Sequence, residues 1–506
     1  MYSKVLSGTV LGLAGVRVQV ETDISDGLPM LTMVGYLSSC VREAGERVRT
    51  ALKNSGYSLP PKRITINLSP ADIRKDGTGF DLPIAAGILS AMGIIPTDRL
   101  EDTLIVGELS LDGAVNPING ILPLVHFAGN EGIKRCIVPY ENANEAALIS
   151  AIEVIPVKNI NELADYMNGA LEISPVKADV ESLFRQEMEY DCDFSDVIGQ
   201  EVLKRGVEIA AAGLHNILMT GAAGAGKSMI AKRIPTILPG LTFDESLEIT
   251  KIYSVAGMLG DGRSLIATRP FRSPHHTISQ AALSGGGAPI RPGEISLSHN
   301  GVLFLDELPE FPRNVLETLR QPLEDREIHI SRINNTYTFP ADFMLVAARN
   351  ACPCGHYPDM SKCTCSYGMI RKYQMKVSGP LLDRIDIYVE AMPVKADSLF
   401  QERVSESSET IRERVADARK LQAIRYKNER INYNSQLQGG MTDRYIRISK
   451  GDEDFARAAF ESMELSMRGW QRLLKVSRTI ADLAGDSEIR EEHLKEAVFF
   501  RERREV

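Results

Sequence analysis

The stretch NILMTGAAGAGKSMIAKRI, residues 216–234, constrains the fold of this chain more than any other. An apolar run, a turn of glycines and alanines, and a helix-forming run follow one another directly. That order predicts a buried strand feeding a loop that opens a helix, the building unit of a parallel α/β sheet. Gly221, Ala222, Ala223, Gly224, Ala225, Gly226, Lys227 and Ser228 fit the pattern G-x-x-x-x-G-K-[ST]. Such a loop lets backbone N–H groups curl around phosphate oxygens, and the helix N-terminus adds donors and a favourable dipole. Lys227 is then placed to reach β/γ-phosphates and Ser228 to ligate Mg²⁺. A glycine turn with a chance lysine is the alternative, and the strand–loop–helix context argues against it.

Three further stretches fit the same sheet. In GVLFLDELPEF (301–311), Val302 to Leu305 predict a buried strand, with Asp306 and Glu307 emerging at its carboxyl end. Asp306 suits the Mg²⁺ shell, and Glu307 suits orienting or polarising an attacking water. A structural ion pair with Lys227 is the alternative. FMLVAARN (343–350) predicts another strand, ending in Asn350, whose amide can contact the γ-phosphate or the water. In GPLLDRIDIYVE (379–390), Arg384 stands just before one more strand and outside the phosphate loop. That is the usual form of an arginine finger given to a neighbouring subunit, with a surface salt bridge as the alternative. Arg468 opens the helical stretch around Trp470 and is a weak signal alone.

The chain of 506 residues, 43% hydrophobic with net charge −9, is that of an ordinary globular protein of several domains. It is not coated in basic residues, so nucleic-acid binding requires positive groups focused in one place. No apolar run approaches the roughly 20 residues that span a bilayer. The N-terminus, broken by Gly8, Gly12, Gly15 and Arg17, reads as two short strands around a turn rather than a secretory signal. Residues 1–172 alternate β-like and helical runs, an α/β or α+β domain. Residues 173–195 read as a charged linker, 196–392 as α/β, and 393–506 as helical. Cys40, Cys136 and Cys192 lie far apart, and the expectation is a soluble cytoplasmic protein with reduced thiols and no membrane partner.

The other four cysteines crowd into NACPCGHYPDMSKCTC (350–365), spaced C-x-C, eight residues, C-x-C. Cys352, Cys354, Cys363 and Cys365 are expected to hold one structural Zn²⁺, with Gly355 and Pro358 letting the two arms fold back. Buried or redox thiols are the alternative, and His356 can replace a thiol. The cluster begins two residues after Asn350, so the metal would hold the segment beyond it. In REIHISRINNTYTFPADF (326–343), Ile328 and Ile330, then Tyr337 and Phe339, alternate with polar residues around Asn334–Asn335. That predicts a β-hairpin with Arg332 at its tip. GGGAPIRPGE (285–294) offers Arg291 from the helix before the Asp306 strand. By spacing alone both read as solvated loops.

The order of these motifs resembles an AAA+ ATPase of the magnesium-chelatase-like branch, and more closely the YifB/ComM family. The stretches HNILMTGAAGAGKSMIAKR, FRSPHHTIS, GGGAPIRPGEISLSHNGVLFLDELPEF, RNACPCG, SGPLLDRIDI and RGWQRLLKVSRTIADL carry the likeness, with ERVRTALKNSGYSLPPKRITINLSPADIRKDGTGFDLPIAAGIL before them. The resemblance implies an α/β fold: a Lon-protease-like, non-catalytic N-terminal domain, a P-loop AAA+ core on a parallel sheet, and a helical lid. It implies ATP and Mg²⁺ as cofactors and a hexameric ring moving on single-stranded or branched DNA without sequence preference, in branch migration of transforming DNA. It makes Lys227 and Ser228 the P-loop pair, Asp306 and Glu307 the Walker B acids, Asn350 sensor 1, Arg384 the finger acting in trans, and Arg468 sensor 2 in cis. Val197 and Ile198 of DVIGQ (196–200) would pack on adenine. The 326–343 hairpin would project into the ring's pore, where six copies each of Arg332 and Arg291 can track a backbone. Two rival functions arise. A Lon-type peptidase needs a Ser in a DGPSAG-like stretch and a Lys in a GGLKEK-like one; here DGTGFD (76–81) has Gly79 at the Ser position, with Thr78 beside it, and NGILPL (119–124) has no Lys. The other is a chelatase-like or chaperone-like ATPase that remodels a protein partner.

Overall fold

The computed structural model describes residues 1–186, 190–260, 262–332, 336–357, 359–392 and 405–501. The chain starts with a hairpin of β1 (Tyr2–Leu11) and β2 (Ala14–Ser25), turned at Gly12 with φ 65° and closed at the pair Leu11–Ala14. Val18, Val20, Thr22 and Ile24 alternate inward along β2, the period of a strand buried on one face. The hairpin forms as expected, but each arm is longer than a short strand. It joins β3 (Met30–Val34), β4 (Arg63–Ser69), β5 (Thr103–Ile105), β8 (Arg135–Pro139) and β9 (Glu153–Val157) in the order β3-β4-β2-β1-β5-β8-β9. β6 (Glu108–Leu109) and β7 (Val115–Asn116) form a separate small ladder. The large sheet is antiparallel at β1, β2 and β4 and parallel elsewhere. Helix Asp81–Ala91 is buried along its whole length, which is why DLPIAAGILSA is apolar on every face. Helix Ser39–Asn54 buries Val41, Ala44, Val48, Ala51 and Leu52 at i, i+3, i+4 spacing, with Ser38 as its N-cap.

The stretch expected to be a charged linker contains a helix, Val180–Gln186, and Val176 forms a β-bridge with Val154. Val176, Leu183 and Phe184 pack on the core of the first sheet. Their apolar side chains have somewhere to go, which a reading by charge and proline overlooked.

The second sheet is wholly parallel, in the order β11-β14-β17-β10-β18. Its strands are β10 (Ile217–Gly221), β11 (Phe271–Arg272), β14 (Val302–Leu305), β17 (Met344–Arg349) and β18 (Ile387–Ala391). Both faces are covered, so the central strands are continuous apolar runs rather than alternating ones. One face receives helices Glu201–Gly213, Ser408–Arg425 and Met467–Ala484, the last capped by Ser466 and ended by Gly485 in the left-handed region. Two ladders stand off this sheet. β12 (Gly285–Gly286) pairs with β13 (Arg291–Pro292), and β15 (Glu327–Ser331) pairs with β16 (Thr336–Pro340).

The two sheets belong to one packed body. The Gly120 N–H donates to Ser254 O at 3.0 Å, and Leu247 and Leu265 pack on the first core. The Gly12 turn lies against the backbone of Thr338 on β16. Among the described residues no helix is long and apolar enough to cross a membrane. The expected start of the helical region, residue 393, lies outside the described residues, as do Asn334, Asn335 and Pro358.

Candidate nucleotide site and its surroundings

Parallel register sets where the site must be. Gly221 of β10 is level with Ala391 of β18, Thr220 with Arg349 of β17, and Ala347 of β17 with Leu305 of β14. The carboxyl ends of three strands therefore deliver the phosphate loop, Asp306 and Asn350 to one edge, where open α/β sheets bind ligands. Gly224 and Gly226 have φ of 78° and 85°, a conformation that side chains disfavour, so the loop needs glycine there. At Gly221 a Cβ would lie 2.5 Å from Ala391 O, so strand packing requires glycine.

The functional side chains meet across this edge. The Lys227 ammonium is buried and donates to Gly221 O at 2.7 Å, Ala222 O at 2.8 Å and Asn350 Oδ1 at 3.3 Å. Burial pushes its pKa down, and the nearby Asp306 and Glu307 carboxylates offset part of that. A desolvated ammonium satisfied by loop carbonyls is poised to exchange them for phosphate oxygens. Ser228 Oγ donates to Asp306 Oδ2 at 2.7 Å, so a hydroxyl and a carboxylate share one small space. That pair suits hard-cation coordination such as Mg²⁺. The Glu307 N–H donates to Asp306 Oδ1 at 2.9 Å, and Glu307 itself has φ of 51° with its side chain largely exposed. Among the described residues Lys227 bonds to no carboxylate, so the structural ion pair with Asp306 or Glu307 is not the arrangement found.

Glu307 has a neighbour that the motif spacing did not single out. His276 Nδ1 lies 3.6 Å from Glu307 Oε2, with the imidazole held against His275 (ring centroids 4.1 Å apart) and edge-on to Phe311 (6.4 Å). His276 follows β11, and only the pairing of β11 with β14 brings it to the acid. Gln200 was also missed: its amide donates to Ala225 O and Met392 O, tying the 196–200 box to the phosphate loop.

The 196–200 box needs correcting. Val197 is fully buried in the core of the second sheet and is not available to a base, whereas Ile198 is 45% exposed and is. Adjacent residues in extended backbone point to opposite sides, so one of the two had to turn inward.

Arg384 lies at the other end of the sheet. It precedes β18, and Asn216, which precedes β10, donates its side-chain amide to Arg384 O at 2.9 Å. Its guanidinium pairs with Glu324 and donates to Arg320 O and Pro380 O, the in-chain salt bridge weighed as the alternative. Arg468 is exposed in the first turn of helix Met467–Ala484, with no hydrogen bond or ion pair to the phosphate loop among the described residues.

The four cysteines do converge. Their Sγ atoms all lie within 4.8 Å of one another, with Cys352–Cys354 at 3.3 Å, Cys354–Cys363 at 3.6 Å and Cys352–Cys363 at 3.8 Å. A tetrahedral site with Zn–S near ~2.3 Å puts sulfurs about 3.8 Å apart, so the thiols fit the ion. A disulfide needs ~2.05 Å, and all seven cysteines are free thiols. Backbone N–H groups of His356 and Thr364 pull the Cys354 thiol down to about 6.

The two arginines expected on DNA are exposed and stand on adjoining ladders. Arg332 Nη2 donates to Gly287 O at 3.3 Å, and a Cβ at Gly285 would meet Ile330 Cδ1 at 3.0 Å. Arg291 lies on β13, not on the helix Gln280–Ser284 before it, because Gly285–Pro292 folds back as a ribbon. The hairpin register pairs Ile328 with Phe339 and Ile330 with Tyr337, as the alternation predicts.

In the first sheet, the Thr78 hydroxyl bonds to Glu108, and a buried Lys75 spends its ammonium on the carbonyls of Pro70 and Ile73. The side chain of Ile118 packs against Gly79.

Three family models cover most of the chain: subunit ChlI of magnesium chelatase over residues 193–399, subunit ChlI of Mg-chelatase over 20–142, and the ChlI C-terminal part over 405–501. The chain is similar to the protein YifB of Escherichia coli, 42% identical over 496 residues, covering 97% of this chain and 95% of that one. It is similar to competence protein ComM of Haemophilus influenzae, 40% identical over 501 residues, 98% of this chain and 97% of that one. It also resembles Lon protease 2 of Bacillus subtilis, 39% identical over 129 residues, a quarter of this chain (25%) and 23% of the protease.

Proposed function

Because the chain belongs to the YifB/ComM family of magnesium-chelatase-like AAA+ ATPases, we propose that it is an ATP-driven motor on DNA, a hexameric helicase that migrates branches during uptake or recombination of transforming DNA. The observation that carries this reading is the joining of the two ladders that bear the exposed Arg291 and Arg332, with Arg332 of one against Gly287 of the other, beside the nucleotide sheet. Repeated six times about an axis, Arg291 and Arg332 supply a ring of cations on an otherwise acidic protein. Phosphate contacts of that kind are sequence-independent and salt-sensitive.

In this reading Lys227 and the loop N–H groups hold the β/γ-phosphates, while Ser228 and Asp306 hold Mg²⁺. Glu307 takes up the attacking water, Asn350 positions it, and Arg468 closes over the nucleotide from the same chain. Arg384 acts on the neighbour's nucleotide. Its place at the amino end of β18 supports that assignment, because the phosphate loop stands at the carboxyl end. Ile198 packs on the base, and the N-terminal Lon-like domain serves as a scaffold. Cys352, Cys354, Cys363 and Cys365 hold a structural Zn²⁺ in a reducing cytoplasm.

The test is fluorescence anisotropy with labelled single-stranded and forked DNA across a salt series. The parent should bind, with affinity falling steeply as salt rises. Arg291→Ala/Arg332→Ala should bind weakly at all salts while keeping basal ATPase. Equal binding by parent and double variant removes the pore-loop assignment. A parent that binds no DNA, but whose ATPase responds to a protein partner, establishes the chaperone-like or chelatase-like alternative instead.

A further inference from the structure

The cysteine site does more than end a loop. The segment it closes approaches the phosphate loop at two places. Asn350 Oδ1 accepts from Lys227 at 3.3 Å, and the buried Gly355 faces Ala223 so closely that a Cβ added there would be in van der Waals contact, 3.8 Å from both the Ala223 N and Cβ. The Ala223 N–H belongs to the run that cradles phosphate. Sulfur stands at the centre of the turn that carries Gly355. The small core beneath it consists of Cys352, Cys365 and Ile370, edged by Cys354, Cys363 and Tyr357. Gly355 N–H donates to Cys352 O at 3.0 Å, and Tyr357 N–H points at Cys352 Sγ at 3.4 Å, so the turn is organised around a ligand atom. Four thiols with Ile370 and Tyr357 bury little hydrocarbon, so a bound ion would supply much of the order of this turn.

We infer that the four-cysteine site is a metal-dependent buttress of the phosphate loop, so that occupancy by a zinc-class divalent ion sets nucleotide affinity. The inference rests on the zinc reading above and adds a consequence to it. With the ion bound, Gly355 backs Ala223 and the donors of the loop stay aligned. With the ion removed, the four-cysteine turn loses its centre, and Gly355 is no longer held beside Ala223. Lys227 keeps its carbonyl partners, so the fold of the core survives.

The experiment measures zinc content first, then affinity for a fluorescent ADP analogue in excess Mg²⁺. Full-length protein is compared as purified, after stripping with a chelator that is then dialysed away, and after zinc is restored. The expected result is one zinc per chain, binding at least ~10-fold weaker after stripping, and recovery on reloading. Cys363→Ser/Cys365→Ser should match the stripped protein and not recover. Affinity unchanged by stripping overturns the buttress while leaving the zinc site standing. Under half an equivalent of zinc overturns the zinc reading and the buttress with it. Affinity lost together with the far-UV helix signal also overturns it, since the effect is then global unfolding.

Discussion

Arg384→Ala separates action in trans from a local salt bridge, and the structure fixes what to expect. Ile387 is level with Ile217 and Ala391 with Gly221, so Arg384 sits beyond the amino end of a five-residue strand whose far end opens the phosphate loop. At ~3.3 Å per residue that strand alone separates them by roughly 15 Å, more than an arginine side chain spans. Its own chain therefore gains nothing catalytic from it. The in-chain partner Glu324 is 57% exposed, so losing that pair costs at most about 1 kcal/mol and shifts melting by no more than ~3 °C. A finger supplied to a neighbour is worth ~10³–10⁵ in turnover. Arg384→Ala should therefore bind ATP normally, assemble normally, and lose at least ~10³ in kcat in a coupled ADP-release assay. Mixing it with Lys227→Ala should restore activity, because about a quarter of randomly formed interfaces then pair an intact loop with an intact finger. Full activity of Arg384→Ala alone, or mixtures of ring-forming subunits that stay inactive, would refute the trans assignment.

Glu307→Gln should retain ATP, seen by equilibrium dialysis, and hydrolyse it ~10²–10⁴-fold more slowly, since only water activation is lost. His276→Ala should leave ATP affinity unchanged and alter kcat, because His276 faces Glu307 and not Lys227; an affinity change with constant kcat contradicts a positioning role. Glu145, buried where the two sheets' domains meet, has its pKa raised to about 7 by burial, only partly offset by Ser254, Leu122 and Asn142. A carboxyl raised in the folded state is most stabilising below its unfolded value near ~4.5 and loses that contribution as pH rises through about 7. Glu145→Gln should then be more stable than the parent by about 1–3 kcal/mol at pH ~8, with the gap closing by pH ~5, in urea denaturation.

Motifs that live in one segment were legible in the sequence, and features made by long-range pairing were not. The phosphate loop, the Asp306 strand and the 327–340 hairpin are specified by local periodicity and turn chemistry, so they stand where the residues placed them. His276 meets Glu307 only because β11 pairs with β14, 31 residues downstream, and no local period announces a parallel pairing. Val197 and Ile198 look equivalent in a string of letters, yet backbone alternation buries one and exposes the other. The helix Val180–Gln186 hid in a charged stretch because only two of its residues, Leu183 and Phe184, pack on a core built from the first sheet. The cysteine spacing suggested a ligand set, whereas its closeness to Ala223 through Gly355 required the fold.

ATP-dependent strand displacement from a forked DNA by purified protein tests the central claim most directly. The account predicts displacement by the parent with Mg²⁺ and ATP, none with Glu307→Gln, and loss in Arg291→Ala/Arg332→Ala despite intact basal ATPase. A parent that hydrolyses ATP yet displaces no strand from forked or junction DNA would contradict it.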